Sequence, residues 1–93
     1  MNNQKESISS KLQEKALEYL IDKADHTANK AYFFQRSELD NFLKEEFQNC
    51  DKNTDGARTG ALNRLFNNSP NIKKISHGNY VYSINEADWK SVV

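Results

Sequence analysis

The residues that could do chemistry in this chain lie close together on one predicted helix. At 100° per residue, five of them share one side of that helix: Thr59, Gly60, Asn63, Arg64 and Asn67. Arginine can donate two hydrogen bonds to guanine, asparagine can pair with adenine, and threonine offers a hydroxyl group to phosphate and a methyl group to thymine. The spacing predicts a surface that can contact DNA, although the solvated face of any helix can carry the same residue types.

The charge of the chain is distributed unevenly, although its net charge is zero. Residues 1–55 contain eight Lys and Arg against eleven Asp and Glu, whereas residues 56–84 contain four basic residues and no acidic one. One of these four, Arg58, lies in the first turn of the same helix, where a phosphate would also meet the positive end of the helix dipole. A basic end of this kind steers a polyanion better than the net charge suggests, although four cations can also fall together by chance.

The composition indicates one small domain. The chain has 93 residues, a mean hydropathy of −0.92 and no apolar run of the length that a membrane span or a signal peptide needs. Its single cysteine, Cys50, excludes an internal disulfide and fits a reducing compartment, so we predict a cytoplasmic protein. Twelve asparagines and ten lysines against three arginines are typical of an AT-rich coding sequence, and hence of a low-GC bacterium or its phages.

The N-terminal part predicts a tail, a helix and a strand. Residues 1–8 lack periodicity and predict a mobile tail, after which Ser10 and Gln13 form a capping box that opens a first helix. That helix extends to about Asp25, and its apolar stripe consists of Leu12, Ala16, Leu17, Leu20, Ile21 and Ala24. The aromatic run Tyr32–Phe34 favours a short strand.

Two further helices are predicted in the middle of the chain. Ser37 is expected to cap the second helix, whose apolar stripe consists of Leu39, Phe42, Leu43 and Phe47. Thr54 or Asp55 is expected to cap the third, which ends near Asn67 and has a stripe of Ala61, Leu62, Leu65 and Phe66. A last helical turn is predicted for Glu86–Trp89.

The segment from Ile72 to Ile84 predicts a β-hairpin around a two-residue Gly78-Asn79 turn of the primed type. This turn pairs Ile75 with Tyr82, and Lys73 with Ile84. The inner face of the hairpin then consists of Ile75, Tyr80, Tyr82 and Ile84. The outer face consists of Lys74, Ser76, Val81 and Ser83.

The order of these elements from Tyr32 to Ile84 resembles the winged helix-turn-helix DNA-binding domain superfamily, over roughly the central two-thirds of the chain. The resemblance implies an α+β fold for residues 9–93, with three helices and a small antiparallel β-hairpin wing, and with the third helix in the DNA major groove. It also implies that Lys73, Lys74 and His77 lie on the wing and contact phosphate or the minor groove. Lysines on an edge strand equally serve to prevent aggregation.

We therefore expect a sequence-specific protein for double-stranded DNA, a small transcriptional regulator that acts as a homodimer without a cofactor. The alternative is a protein-interaction module or an inhibitor from a phage or mobile element that binds a host protein. Such a module would use the acidic residues of the first two helices: Glu14, Glu18, Asp22, Glu38, Glu45 and Glu46. Nucleophile-elbow, Walker and dinucleotide motifs are absent from the sequence, so no enzyme is expected.

The segment Asp51–Gly56 matches the first half of an EF-hand calcium loop. Its second half fails, because Leu62 replaces the bidentate glutamate at position twelve and Arg58 stands at position eight. His26 and His77 have no companions at the spacing of metal ligands. We therefore predict a capped turn and no metal site.

Overall fold

The computed structural model describes residues 7–85, and this part of the chain contains three helices and three strands. In chain order they are α1 (Ile8–Asp25), β1 (Ala31–Gln35), α2 (Arg36–Glu46), α3 (Asp55–Asn68), β2 (Ile72–Ser76) and β3 (Asn79–Ser83). The strands form an antiparallel sheet in the order β1-β3-β2. The described residues therefore have an α+β fold, with three helices and a small antiparallel sheet.

The first helix, α1, begins earlier than the sequence predicts. The Oγ atom of Ser7 accepts a hydrogen bond from the backbone N–H of Ser10 at 3.1 Å, so Ser7 and not Ser10 is the N-cap. The predicted capping box is wrong, because the Gln13 side chain donates to Oγ of Ser9 at 2.9 Å instead of returning to the backbone. The helix thus starts inside the predicted tail, of which residues 1–6 lie outside the described part of the chain.

The second helix, α2, follows β1 without a connecting loop. Its N-cap is Gln35, which makes no side-chain capping bond, and the predicted cap Ser37 lies inside the first turn. The backbone N–H of Arg36 donates to the carbonyl oxygen of Gly78 at 3.0 Å. The hairpin tip therefore satisfies one of the N–H groups that a helix start leaves open, and it is anchored to the first residue of α2.

Side-chain hydrogen bonds hold the turn between α2 and α3. The Nδ2 atom of Asn53 donates to the carbonyl oxygens of Leu43 and Phe47, at 3.2 and 3.1 Å, and so closes the C-terminal end of α2. Oγ1 of Thr54 accepts a hydrogen bond from the backbone N–H of Ala57 at 3.1 Å. Of the two predicted caps for α3, Thr54 is therefore the one confirmed.

The three helices and one face of the sheet enclose a common core. Its buried residues are Leu12, Ala16, Leu20, Ala24, Phe34, Leu39, Leu43, Ala61, Leu62, Leu65, Ile72 and Tyr82. Most of the predicted apolar positions are confirmed, and Leu17, Phe42, Phe47 and Phe66 pack half-buried against this core. Among the predicted stripes of the helices, Ile21 is the exception: it is 42% exposed, so the buried stripe of α1 is narrower than predicted.

A carboxylate shared by two phenols joins α1, β1 and α2. Oε2 of Glu38 accepts hydrogen bonds from the hydroxyl groups of Tyr19, at 2.6 Å, and Tyr32. Burial raises the pKa of the Tyr19 phenol well above its ordinary value, and Glu38 adds to this because it binds the neutral phenol and repels the phenolate. The pKa of Tyr32 is raised by the same two causes in the same order.

The hairpin has a different turn from the predicted one. The connecting residues are His77 and Gly78, and Ser76 pairs with Asn79, whereas the prediction put the turn at Gly78-Asn79. Only the second of the two connecting residues, Gly78, has a positive φ, at 78°. A primed turn needs a positive φ at the first of them, so the predicted turn type is wrong.

The register of the hairpin also shifts between Lys74 and Ser76. Ile75 lies at this bulge and is 46% exposed, although the sequence predicts it in the core opposite Tyr82. Tyr82 pairs with Ile72 instead, and these two residues are buried together. A shift in register moves side chains from one face of a sheet to the other, which is why the predicted faces of β2 are wrong.

None of the helices in residues 7–85 is long and apolar enough to cross a membrane. The helical turn predicted for Glu86–Trp89 lies outside the described residues.

Candidate nucleic-acid interface

The two faces of α3 are as the sequence predicts. Ala61, Leu62 and Leu65 are buried and fix the rotation of the helix about its axis. On the opposite side, Gly60 is partly exposed and the other four predicted residues are exposed: Thr59, Asn63, Arg64 and Asn67. The five residues singled out by their helical spacing therefore do share one accessible surface.

Arg58 lies elsewhere, because its side chain is only 2% exposed. Its Nε atom donates to Oδ1 of Asp40 at 2.8 Å, and Nη1 donates to Oδ1 and to the carbonyl oxygen of Asn53, at 2.9 and 3.3 Å. Nη2 donates to Oδ1 of Asp55. The predicted contact between Arg58 and a phosphate is therefore corrected: the guanidinium group is enclosed by α2, the turn and the start of α3.

The same network accounts for the resemblance of the turn to a calcium loop. Asn53 and Asp55 stand at the third and fifth positions of that pattern, and their side-chain oxygens accept hydrogen bonds from Arg58. A guanidinium group thus uses oxygens that would otherwise face a metal ion. Among residues 7–85, no three His, Cys, Asp or Glu side chains are grouped so that they could hold a metal ion.

A cleft of about 580 Å³ lies between the start of α2, the first half of α3 and the hairpin tip. The side chains that line it include Arg36, Thr59 and His77, together with the carboxylates of Asp40 and Asp55. Nη2 of Arg36 donates to the carbonyl oxygen of Thr59 at 3.0 Å, and the guanidinium carbon lies 5.5 Å from the centre of the Phe66 ring. Arg36 therefore adds a cation beside the exposed face of α3.

Sequence reasoning misses Arg36, although a signal for it exists. The residue directly follows β1, and β1 pairs with β3 up to the pair Gln35–Asn79 next to the hairpin tip. Once the order of the strands is assumed, the first residue of α2 must lie beside the tip and hence near α3. Arg36 follows the aromatic run of β1 and is far in sequence from the basic residues after Gly56. Composition alone therefore does not indicate that these residues lie on one surface.

A second concavity, of about 220 Å³, lies between the C-terminal half of α3 and β2, and we call it the α3–β2 hollow. It is lined by Asn63, Phe66, Asn67, Ile72, Lys74 and Tyr80. The rings of Phe66 and Tyr80 form an apolar wall, with 4.4 Å between their centres and a tilt of 35°. The hollow therefore combines two amides, one amine and an aromatic surface.

Lys73 and Lys74 lie on opposite faces of the sheet. Lys74 pairs with Tyr80, on the face that packs against the helices, whereas Lys73 pairs with Val81 and not with Ile84 as predicted. Val81 also pairs with Phe33, which is 53% exposed on the outer face. Only Lys74 therefore joins the surface of α3, and the prediction that it shares an outer face with Val81 is wrong.

Arg64 points from α3 towards α1. Its Nη1 atom donates to Oγ of Ser9 at 3.1 Å, in an exposed position, and lies 3.7 Å from where a Cβ atom at Gly60 would be. The side chain therefore leans over Gly60 and lies outside the α3–β2 hollow. The exposed face of α3 has α1 and Arg64 on one side, and the hairpin with Lys74 and His77 on the other.

Comparison of the chain with protein-family models, with curated proteins and with solved structures gives no match.

Proposed function

We propose that this protein binds double-stranded DNA through α3 and the β2–β3 hairpin, and that it regulates transcription by occupying its site. The observation that carries the proposal is the accessible face of α3, where Thr59, Asn63 and Asn67 follow one another at intervals of one helical turn. Two cations from other elements flank this face, Arg36 from α2 and Lys74 from β2. Side chains for bases and cations for phosphate thus lie on one surface.

The topology supports the same proposal. The order helix, strand, helix, helix, hairpin, with the sheet order β1-β3-β2, is compatible with the winged helix that the sequence resembles. Two features depart from that family. Residues 47–54 form a longer connection between α2 and α3 than the usual three or four residues, and the hairpin tip is tied to Arg36 instead of projecting freely. We therefore assign the backbone contact of the hairpin to Lys74, on the side facing α3, and not to its tip.

The proposed role requires neither catalysis nor a cofactor. We further propose that two copies act together, because a homodimer reads two half-sites one helical turn of DNA apart and so gains affinity from a small interface on each copy. Electrophoretic mobility against protein concentration, with one half-site and with two, measures this directly. A single mobility shift to a complex of one protein copy on a duplex with two half-sites would contradict the homodimer. The proposal of DNA binding would still stand.

The test of DNA binding is fluorescence anisotropy with a labelled pool of random 25-bp duplexes at 50 and 200 mM salt. We expect binding in the micromolar range or tighter at low salt, weakening steeply as salt rises, because phosphate contacts release counterions. Lys74→Glu should abolish binding, whereas the control Lys44→Glu, the same substitution at an exposed position of α2, should leave most of it. No binding at 50 mM salt, or equal losses in the two variants, would contradict the proposal.

A protein-interaction module remains the second candidate function, and one observation favours it. Phe33 and Ile75 are exposed and border a concavity of about 490 Å³ at the hairpin end of the sheet. Aromatic side chains of this kind anchor protein interfaces. A chain that fails to bind DNA, and that loses a stable complex with a host protein on Phe33→Ser, would support this function in place of the first.

A further inference from the structure

The two amides in the α3–β2 hollow are free to bind. Neither Asn63 nor Asn67 makes a side-chain hydrogen bond to another residue among positions 7–85, and both are exposed. The amine of Lys74, which lines the same hollow, has no carboxylate partner within these residues either. Three polar groups thus face one small space with their full hydrogen-bonding capacity.

The chemistry of the hollow fits an A·T pair better than a G·C pair. A carboxamide matches the N6 donor and the N7 acceptor of adenine, and thymine adds a methyl group on the same edge of the pair. The rings of Phe66 and Tyr80 supply an apolar wall for that methyl group. Arginine is the usual partner of guanine, and neither of the two arginines beside this face lines the hollow. Arg64 is turned towards Ser9, and Arg36 donates to the carbonyl oxygen of Thr59.

The spacing of the amides sets the spacing of the bases. Asn63 and Asn67 are four residues apart, which is about 6 Å along a helix axis. Successive base pairs of DNA are roughly 3.4 Å apart, so the two amides reach base pairs separated by two steps. A phosphate that flanks these pairs would meet Lys74 at the edge of the hollow.

We propose that the α3–β2 hollow makes the protein specific for A·T pairs, with Asn63 and Asn67 each binding one adenine of two A·T pairs two steps apart. Lys74 binds the adjoining phosphate, and Phe66 contacts a thymine methyl group. The inference rests on the proposed binding of duplex DNA, and it adds the base that each side chain reads.

The test is selection of duplexes by the full chain from a random pool, followed by anisotropy with the enriched duplex. We expect two invariant A·T columns with one column between them. Asn67→Ala should weaken binding of that duplex by about 5- to 150-fold and remove the preference in one column only. The control Asn68→Ala changes the same residue type one position further along α3, outside the hollow, and should leave affinity and motif unchanged.

Modified bases test the contacts atom by atom. Replacing the selected adenines with 7-deazaadenine removes the N7 acceptor and should weaken the wild-type protein but not Asn67→Ala at its own column. Replacing thymine with uracil removes the methyl group and should weaken binding less than 7-deazaadenine does. G·C pairs at the two selected columns, or a motif that survives Asn63→Ala combined with Asn67→Ala, would overturn the inference.

The outcomes separate this inference from the proposed function. Duplex binding without any preference for A·T would overturn the base assignment and leave the DNA-binding role standing. Binding of single-stranded DNA alone would overturn the A·T assignment and the proposed binding of duplex DNA. Phe66 and Tyr80 would then act as a stacking surface for unpaired bases. Absence of binding to every duplex at 50 mM salt would likewise remove both.

Discussion

Arg58→Ala should destabilise the protein far more than Arg64→Ala, although both variants remove one arginine from α3. The guanidinium group of Arg58 donates four hydrogen bonds, to Asp40, to Asp55 and twice to Asn53, from a side chain that is 2% exposed. Arg64 donates a single exposed hydrogen bond to a hydroxyl group. The two substitutions therefore differ in burial and in the number of groups that they leave without a partner.

The magnitude follows from the surroundings of the carboxylates. Removing one partner of a buried ion pair costs about 3–5 kcal/mol. The side chain of Asp55 is 92% exposed and that of Asp40 is 36% exposed, so water replaces part of what is lost and the cost lies near the lower end, about 3 kcal/mol. The exposed bond of Arg64 is worth about 1 kcal/mol or less.

Urea denaturation and thermal melting of the three proteins measure the difference. A loss of about 3 kcal/mol should lower Tm by roughly 12–24 °C in a domain of this size, whereas Arg64→Ala should shift it by a few degrees. Arg58→Lys should fall between, because an ammonium group keeps the charge but not the planar fork of donors. Equal free energies of unfolding for the two alanine variants would refute the reasoning. If Arg58→Ala kept the Tm of the parent protein and lost DNA binding, Arg58 would be a DNA contact and not a structural residue.

Four further measurements test other parts of the structure. Lys74→Ala should reduce the salt-dependence slope of DNA binding by about one, whereas Lys73→Ala, on the other face of the sheet, should leave it unchanged; equal effects would contradict the register of the hairpin. Leu65→Ala should cost about 2–5 kcal/mol of stability and the exposed Ile21→Ala less than about 1, as measured by urea denaturation. The contribution of the Tyr19 phenol to stability should be fully present below about pH 10 and be lost above it, because its pKa is higher in the folded protein than in the unfolded chain. Tyr19→Phe should therefore make the fall in Tm shallower in melts from pH 8 to 12. Calcium at millimolar concentration should leave the melting temperature unchanged, since a guanidinium group already binds the oxygens of the turn, and saturable heat in a calorimetric titration would count against this.

The exposed face of α3 could be predicted from the sequence because it depends on local geometry alone. Thr59, Asn63 and Asn67 recur every four residues, and the apolar residues between them determine which side is buried. The N-cap of α3 could be narrowed to two candidates, Thr54 and Asp55, for the same reason, since capping involves residues only three apart. Class, helix order and the presence of a hairpin all follow from signals of this short range.

The hairpin register could not be predicted, because competing turns differ by only one residue. Gly78 can serve as the first or the second connecting residue, but either turn alone would leave Lys73 facing α3. The bulge between Lys74 and Ser76, which the sequence pattern does not indicate, turns Lys74 to that face instead. The hydrogen bond from the Arg36 N–H to the Gly78 carbonyl favours the observed turn, and it joins residues that are far apart in sequence. A local preference for a primed turn is outweighed by this tertiary contact.

The correction at Arg58 has the same origin and a wider consequence for experiments on this protein. From the sequence, an arginine at the start of a helix is expected to be accessible. The packing of α2 against α3 instead places Oδ1 of Asp40 2.8 Å from Nε of Arg58. Because Arg58 and the buried leucines hold α3 in place, the exposed residues Asn63 and Asn67 contribute little to the fold. Substitutions there should leave the protein folded, and their effects on binding can then be read as effects on the interface itself.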